Sequence, residues 1–393
     1  MFDFTTLHFE FNLKTKTVFG VECAKQLPEY LRNFNFTRIG IIIDEGVAGT
    51  SYVNELVQSV KTTAGSITTW IYNLKREPDY ESLDEIKLLF IDESGKPRVD
   101  CFVGIGGGSV IDFAKGMATL VVNPGDARTY RGFVQNITPP LPTIALPTTA
   151  GTGSEVTFNA VFIDRASKKK LGINTHYNFP VLALLDPLLT VTCPKSVTVS
   201  SGMDALVHTM ESFVATGANP LTRLFAREAF VLIFNTLPKV VEAPRDLELR
   251  GNLQYGAYLA GISLMNAGSG PAGALSYPLG VHFGVPHGIA GAFFLPHIIA
   301  HNVENGYDYT KLYDCIEGAM HTKSSAEKNS DFRQHFFDLN KKINIPKKLS
   351  AFSVTHENVL PLMNDITLLE KAFAQNPIPF TVEDGKELVQ RLM

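Results

Sequence analysis

DCFVGIGGGSVIDFAKGMATL, residues 100–120, is the stretch that decides the fold. Residues 100–105 form a short, mostly apolar run, a Gly-Gly-Gly-Ser turn follows at 106–109, and residues 110–120 can continue as a helix. An apolar run this short, bounded by glycine, is typical of a strand that is buried on both faces of a parallel sheet. The stretch therefore predicts a strand, a tight turn and a helix, from which α/β layers are built.

The rest of the first half repeats short apolar runs of the same kind. They occupy residues 38–44 (RIGIIID), 143–146 (TIAL) and 181–186 (VLALLD). Two further runs, residues 156–163 and 171–174, flank a polar stretch and predict a β-hairpin that places Lys170 beside the sheet. The first half is therefore expected to be an α/β layer.

Beyond about Pro194 the strand-like runs give way to long segments with helical spacing. A helix start is expected at Ser200 or Ser201. The helical segments are residues 200–215, 220–236, 246–266 and 288–303. The length of the chain suggests two domains. We predict an α/β N-terminal dinucleotide-binding domain over residues 1–190 and an all-α C-terminal domain over residues 191–393, with the active site in the cleft between them.

The composition excludes several classes of protein. Of the 393 residues, 45% are hydrophobic and 19% are charged, as in folded proteins rather than disordered ones. The net charge of −4, without a long block of one sign, argues against nucleic-acid binding. No segment is typical of a membrane span or a secretory signal. The four cysteines form no CxxC pair, so a reduced, cytoplasmic protein is expected.

Two polar loops follow predicted strands. The turn at 106–109 could hold a phosphate, because glycines let a ligand approach the backbone and a helix N-terminus presents N–H groups. It does not match the Rossmann GxGxxG pattern, and a tight turn explains its glycines equally well. The second loop, PTTAGTGSE at 147–155, adds hydroxyls, although alone it could be an ordinary turn. Two such loops at successive strand ends favour a nucleotide site.

Asp44 ends the first of the predicted strands. An acidic side chain there can accept hydrogen bonds from ribose hydroxyls and repel a 2′-phosphate, which favours NAD over NADP. The alternative is an aspartate that opens the turn Asp-Glu-Gly, and both interpretations remain open.

Asp204 and His208 stand four residues apart, so on a helix they project from one face and could chelate a cation. A surface hydrogen bond is the alternative, but the pair lies among apolar residues, where an unpaired carboxylate would be costly. His287 directly precedes another predicted helix, and three further histidines lie near it in the sequence. A metal centre built from both stretches is one hypothesis, and core histidines that bond to backbone carbonyls are the other.

The order of the motifs resembles that of the iron-containing alcohol dehydrogenase family from end to end. The motifs are GGGS, PTTAGTGSE, GMDALVHTMES, PLG followed by PHG, and NPIPFTVED at residues 376–384. The resemblance implies an α/β dinucleotide-binding domain and a helical domain that binds divalent iron or zinc. It also implies hydride transfer between an alcohol carbon and a nicotinamide.

The resemblance further implies which residues bind the cofactor and the metal. Asp44 matches a position that disfavours NADP, and Asp204, His208 and His287 match three of the four metal ligands. The implied cofactor contacts are Gly106, Gly107, Gly108, Ser109, Asp112, Thr148, Thr149, Thr152, Lys170 and Leu189.

The fourth metal ligand is the departure from the family. Members usually carry histidines at the positions of Gly273 and Tyr277. Three consequences compete. In the first, Asp204, His208 and His287 hold the metal, and water or substrate fills the fourth ligand position. In the second, His282 supplies the fourth ligand. In the third, hydride transfer proceeds without metal, with Tyr277 as proton donor or electrophile. The first is favoured. Tyr277 could also relay the alcohol proton, or it could merely pack.

These observations predict an NAD-dependent alcohol dehydrogenase or aldehyde reductase, metal-assisted, that acts on a small or sugar-like alcohol. The expected partners are a small-molecule substrate and further copies of the chain, because members of the family are commonly dimers or larger; neither nucleic acid nor membrane is expected. Two alternatives stay open: a dehydroquinate-synthase-like lyase that uses NAD and a metal, and a catalytically degraded NAD-binding protein. The lyase is less favoured, because the second half shows no convincing anion clamp.

Overall fold

A computed structural model describes residues 7–73, 77–135, 137–167 and 169–393. Within these ranges no helix is both long and apolar enough to cross a membrane.

The chain forms two compact units. The sheet unit consists of Leu13–Pro194 and Arg245–Gln254. The helical unit consists of Lys195–Pro244 and Tyr255–Met393, together with the described residues before Leu13.

Nine strands are described, all in the sheet unit. In chain order they are β1 (Lys16–Phe19), β2 (Arg38–Asp44), β3 (Ser66–Tyr72), β4 (Cys101–Gly106), β5 (Gly132–Phe133), β6 (Thr143–Pro147), β7 (Val161–Asp164), β8 (Lys169–Asn174) and β9 (Leu182–Leu185). Six of them form a wholly parallel sheet in the spatial order β1-β9-β6-β4-β2-β3. The four strands predicted from apolar runs are β2, β4, β6 and β9, with ends that shift by no more than one residue.

The parallel sheet is buried on both faces, which explains why its central strands are continuously apolar. In β2, Ile41 and Ile43 face one core cluster, whereas Ile42 faces the other together with Phe102 and Phe113. The edge strands β1 and β3 were not predicted, because nearly all of their side chains are half-buried or exposed and their sequences lack an apolar run.

The predicted hairpin is present as β7 and β8, which pair antiparallel with Ile163 opposite Lys170. β5 joins β8 in parallel to complete a three-stranded sheet. The first hairpin strand begins at Val161 rather than at residue 156, because Ser154–Val156 form a 3-10 turn instead.

Fifteen α-helices are described. In chain order they are α1 (Leu27–Asn33), α2 (Glu45–Ala48), α3 (Ser51–Lys61), α4 (Tyr80–Lys87), α5 (Gly108–Leu120), α6 (Lys195–Val214), α7 (Pro220–Glu242), α8 (Leu247–Ala267), α9 (Pro271–Phe283), α10 (His287–Glu304), α11 (Thr310–Tyr313), α12 (Ser325–Lys342), α13 (Leu360–Ile366), α14 (Glu370–Phe373) and α15 (Val382–Leu392).

The predicted fold class is confirmed, and residues 195–393, all of them described, contain no strand. The four predicted helices correspond to α6, α7, α8 and α10. The expected helix start at Ser200 or Ser201 was wrong, because α6 already begins at Lys195. Thr198 and Val199, just before the expected start, are buried and extend the packed face of the helix, whereas residues 195–197 are exposed. Helix α9 was not among the predicted segments, since its glycines and an internal proline hide the helical pattern.

Candidate active site

The Gly-Gly-Gly-Ser turn joins β4 to α5, as predicted. A side-chain carbon at Gly106 would lie 2.6 Å from Val110, and one at Gly108 would lie 2.5 Å from Thr152, so close packing requires both glycines. Gly107 occupies the N-cap of α5 and has no side chain with which to cap it. The amides of this helix end are therefore available to an anion such as a pyrophosphate.

The second polar loop, residues 147–155, lies directly against this turn. Thr148 donates its backbone N–H to the carbonyl of Gly106 at 3.0 Å. The Thr149 side chain lies 3.3 Å from the place that a side-chain carbon of Gly107 would occupy. The two loops thus meet at the carboxyl ends of β4 and β6, where parallel α/β sheets bind nucleotides.

A buried lysine, which sequence reasoning did not single out, ties the second loop to α5. The Lys115 side chain is fully buried, and its ammonium donates to the carbonyls of Ser154, Thr157 and Asn159 at 2.5, 2.8 and 2.9 Å. Burial lowers the pKa of Lys115 to about 8, although neighbouring carboxylates act against this shift. A single lysine inside the apolar helical run 110–120 was the available signal.

Asp112 is engaged within the protein. Its carboxylate accepts the Ser154 hydroxyl at 2.5 Å and the Val161 backbone N–H at 3.0 Å. Lys115 lies 4.0 Å away. Burial raises the pKa of Asp112, and Lys115 partly offsets this rise. The geometry makes Asp112 an anchor of the loop, while its implied direct contact with a cofactor stays a prediction.

Asp44 and Ser109 lie at neighbouring strand and helix ends. Asp44 caps α2 by accepting the N–H of Gly46 at 2.8 Å, and burial raises the pKa of its carboxyl. Asp44 lies opposite Tyr72 in the sheet register, and Tyr72 forms a side-chain hydrogen bond with Ser109. Asp44 therefore does open a turn, as the alternative interpretation held, and it also stands at the same sheet edge as the glycine turn.

Of the two remaining predicted cofactor contacts, Lys170 has an ion-pair partner, and Leu189 lies in a hydrophobic core cluster. The Lys170 ammonium lies 2.8 Å from the carboxylate of Glu77. Leu189 is buried in the 3-10 turn Pro187–Thr190, which Asp186 caps by accepting the N–H of Leu188 at 3.0 Å.

Asp204 and His208 on α6 meet His287, the first residue of α10. The Nε2 atoms of His208 and His287 lie 3.6 and 3.8 Å from the same Asp204 oxygen, Oδ1. One ligand atom from each residue can be chosen so that all three lie within 4.8 Å of one another. A carboxylate oxygen with two imidazole nitrogens is a donor set that iron and zinc accept.

The environment of this triad fits a bound divalent cation. Asp204 is only 6% exposed. The other ring nitrogen of His208, Nδ1, is buried and has no hydrogen-bond partner among the described residues. Burying a carboxylate is costly, and a cation held between the Asp204 carboxylate and the two imidazole rings would offset that cost.

Gly273, the position of the missing fourth ligand, lies at the N-terminus of α9 against Glu211. The Glu211 carboxylate accepts the N–H groups of Gly270, Ala272 and Gly273 at 2.9, 2.7 and 3.0 Å. A side-chain carbon at Gly273 would lie 2.8 Å from a Glu211 oxygen. Burial raises the pKa of Glu211 to about 7, although the three N–H groups act to lower it. Sequence reasoning missed Glu211; its spacing of three residues from His208 on one helix was the signal.

Tyr277 and Ser276 both contact His287. The rings of Tyr277 and His287 lie 4.7 Å apart, and Tyr277 is 36% exposed. The Ser276 hydroxyl lies 2.6 Å from Nδ1 of His287. The structure thus places Tyr277 beside the triad, together with a serine that sequence reasoning did not single out.

His282 does not join the triad. Its Nε2 lies 2.7 Å from the Asp365 carboxylate on α13. The cluster of closely spaced potential ligands that the described residues form does not include His282. The geometry therefore gives no support to His282 as a replacement ligand, because Asp365 already engages it.

Comparison with known proteins agrees with this arrangement. The "Iron-containing alcohol dehydrogenase" family matches residues 14–187, and the "Fe-containing alcohol dehydrogenase family, C-terminal" matches residues 198–393. The NAD-dependent methanol dehydrogenase of Bacillus methanolicus is 29% identical over 98% of this chain and 99% of its own. The sulfoacetaldehyde reductase of Bilophila wadsworthia is 30% identical over 92% of both chains. The solved alcohol dehydrogenase from Oenococcus oeni superposes with a TM-score of 0.89, at 24% identity, over 98% of this chain and 100% of its own. The chain belongs to the iron-containing alcohol dehydrogenase family.

Proposed function

We propose that this protein interconverts a small or sugar-like alcohol and its carbonyl compound, with NAD as hydride carrier and one divalent iron or zinc ion. The observation that carries the proposal is that Nε2 of His208 and Nε2 of His287 both lie close to the same oxygen of Asp204, Oδ1. The two polar loops, which lie against each other at the edge of the parallel sheet, support the cofactor part of the proposal. When bound, NAD would supply or take up the hydride, and a cation held by Asp204, His208 and His287 would polarise the oxygen of the alcohol or carbonyl group.

The sheet unit would hold the dinucleotide. Backbone amides at Gly107, Gly108 and Ser109 would receive the pyrophosphate at the N-terminus of α5, with hydroxyls of Thr148, Thr149 and Thr152 nearby. Asp44 would accept hydrogen bonds from the ribose hydroxyls, and its negative charge would disfavour a 2′-phosphate. We assign cofactor binding to residues 1–190, and metal and substrate binding to residues 191–393.

Tyr277 would hold or move the alcohol proton, because its phenol is partly exposed beside His287. We expect Tyr277→Phe to lower kcat about 10²-fold, the size of a general acid–base contribution, while zinc affinity stays within about twofold. Steady-state kinetics and zinc titration of the same preparation measure both. Unchanged turnover would remove Tyr277 from the mechanism.

The decisive experiment measures NAD-linked turnover of purified protein on a panel of alcohols and aldehydes, after chelation and after reloading with Fe²⁺ or Zn²⁺. Activity should vanish on chelation and return with metal. Asp204→Asn should weaken metal binding, whereas the control His321→Asn, at an exposed histidine paired with Asp314, should not. Full activity of chelated, metal-free protein would refute metal assistance.

The missing histidine at Gly273 favours one rival, an NAD-binding protein that has lost its activity. Saturable NADH binding without turnover on any substrate of the panel, with metal supplied, would support that rival. We further propose that the protein is cytoplasmic and at least dimeric. Light scattering during size-exclusion chromatography tests the assembly, and a monomer at micromolar concentration would contradict it.

A further inference from the structure

We propose that Tyr52 and Asp186 are positioning residues that hold the two sides of the adenosine half of the cofactor site at a fixed distance. The inference rests on the cofactor part of the proposed function and adds two residues to it. Neither residue has to touch the cofactor. They act through the segment that begins at Asp44 and through the turn that carries Leu189.

The order of the strands places two carboxylates on either side of the polar loops. Asp44 is the last residue of β2, and Asp186 directly follows β9. In the sheet, β4 and β6 lie between β2 and β9, and the two polar loops follow β4 and β6. Because the strands are parallel, their carboxyl ends share one edge of the sheet, and three strand spacings separate β2 from β9 by about 14 Å. The two carboxylates therefore flank the place where the loops would receive the dinucleotide.

Asp186 has no exposed surface, and its carboxylate joins three separate segments of the chain. Its Oδ1 atom accepts the backbone N–H groups of Glu22 and Leu188 at 3.1 and 3.0 Å. Its Oδ2 atom accepts the Ala24 backbone N–H at 3.1 Å and the Tyr52 hydroxyl at 2.5 Å. The two oxygens of a carboxylate offer about four acceptor positions, so these four donors satisfy Asp186.

The Tyr52 bond differs from the other three, because it comes from a side chain on the far side of the polar loops. Tyr52 is the second residue of α3, and Asp44 caps α2 directly before that helix. The segment from Asp44 to Tyr52 is thus fixed at its start by β2 and at its end by Asp186. The Tyr52 ring also packs against the core cluster that contains Leu189. Burial and the bond to Asp186 raise the pKa of the Tyr52 phenol, so it keeps the proton that it donates.

This arrangement makes one hydroxyl the link between the two flanks. Tyr52→Phe removes the hydroxyl and retains the ring with its packing. Without the link, the start of α3 and the turn Pro187–Thr190 can move apart, and a ligand that needs both must restore their spacing when it binds. The effect should fall on the adenosine half, because the 2′-hydroxyl that Asp44 would contact belongs to the adenosine ribose.

The first test measures the affinity of adenosine 5′-monophosphate for wild type, Tyr52→Phe and Tyr313→Phe by calorimetry. Tyr313 is a buried tyrosine of the helical unit whose hydroxyl donates to the Asp331 carboxylate at 3.3 Å, so its variant is a matched control. We expect Tyr52→Phe to bind the nucleotide about tenfold more weakly, the effect of one hydrogen bond to a charged group. Tyr313→Phe should change this affinity less than about twofold. Zinc affinity of Tyr52→Phe should equal that of wild type, which a general loss of structure would not allow.

The second test uses steady-state kinetics and hydrogen exchange. In Tyr52→Phe the KM for NAD should rise while kcat stays within about twofold, because the lost interaction contributes equally to ground-state and transition-state binding. In wild-type protein, adenosine 5′-monophosphate should slow exchange of the amides at 46–53 and at 188–190 together. The exchange measurement requires neither activity nor the folding of a variant.

The outcomes separate the inference from the proposed function. Equal nucleotide affinity of wild type and Tyr52→Phe, equal losses of nucleotide and zinc affinity, or protection of only one of the two segments overturns the positioning role and leaves NAD-linked catalysis standing. A wild type that binds neither adenosine 5′-monophosphate nor NADH overturns both. Weaker nucleotide binding in Tyr52→Phe at unchanged zinc affinity, with joint protection of both segments, supports the inference.

Discussion

Lys115 shows how one buried charge can organise a loop. Its ammonium has no exposed surface and bonds to three backbone carbonyls, which leaves it a fixed cross-link between α5 and the second polar loop. A charge in such a place is tolerated only when hydrogen bonds replace its hydration.

We expect Lys115→Met to lower the free energy of unfolding by about 2–4 kcal/mol, because the carbonyls and the Asp112 carboxylate lose their buried partner. NADH affinity, measured by fluorescence, should fall at least tenfold. The control Lys87→Met also removes bonds to two carbonyls, but it removes them from a partly exposed lysine elsewhere in the sheet unit. NADH binding by Lys115→Met as tight as that of wild type would contradict the role of Lys115 as an anchor of the second polar loop.

His297 gives the second prediction at this scale. Burial and the nearby Arg391 lower its pKa to about 4, below the value near 6.5 expected in the unfolded chain. Because the unfolded chain binds the proton more tightly, stability is fully present above about pH 6.5 and is lost as the pH falls towards 4.

The wild-type protein should lose unfolding free energy as the pH falls from 7 to 4.5, and we expect this loss to be smaller in His297→Phe by up to about 3 kcal/mol. Urea denaturation at each pH measures the unfolding free energy. The ring would keep its contacts with Phe293 and Phe337. His321→Asn, at an exposed position, is the control. An equal acid sensitivity of His297→Phe and wild type would contradict the prediction.

At the scale of elements, α6 combines two tasks on one face. It carries Asp204 and His208, and one turn later Glu211 caps the start of α9. Helix N-termini leave N–H groups without partners, and here a side chain from another helix supplies the acceptor.

We expect Glu211→Ala to destabilise the protein by about 2–4 kcal/mol, since three buried amides lose their acceptor. Hydrogen exchange of the amides at 270–274 should accelerate. Glu242→Ala, which removes an exposed carboxylate paired with Lys342 at 3.2 Å, should change stability by less than about 1 kcal/mol. Slow, unchanged exchange at 270–274 in Glu211→Ala would rule out the capping role.

At the scale of the whole molecule, the two units should respond to different ligands. A ligand that binds only the native state stabilises it by about 2.7 kcal/mol at a hundred times its Kd. We expect Zn²⁺ to slow exchange around residues 204–208 and 273–287, and NADH to slow it around 106–112 and 147–157. Exchange mass spectrometry on chelated protein with each ligand alone measures this. Zinc protection confined to the sheet unit would contradict the assignment of the metal site.

The sequence by itself determined the fold class and most of the candidate site. Apolar runs such as residues 38–44 mark the central strands, because a strand buried on both faces carries few polar side chains away from its ends. The spacing of Asp204 and His208 puts both on one helix face, because a helix repeats every 3.6 residues. Strands β1 and β3 were missed, because half-exposed edges carry no such pattern.

Only the tertiary structure decided which distant residues meet. It brought His287 to within 3.8 Å of Asp204, paired His282 with Asp365 instead, and set Ser276 and Glu211 around the place of the missing histidine. The physical reason is that local periodicity fixes the face of an element on which a side chain lies. The packing of several elements fixes what that face meets, and no short stretch of sequence encodes that packing.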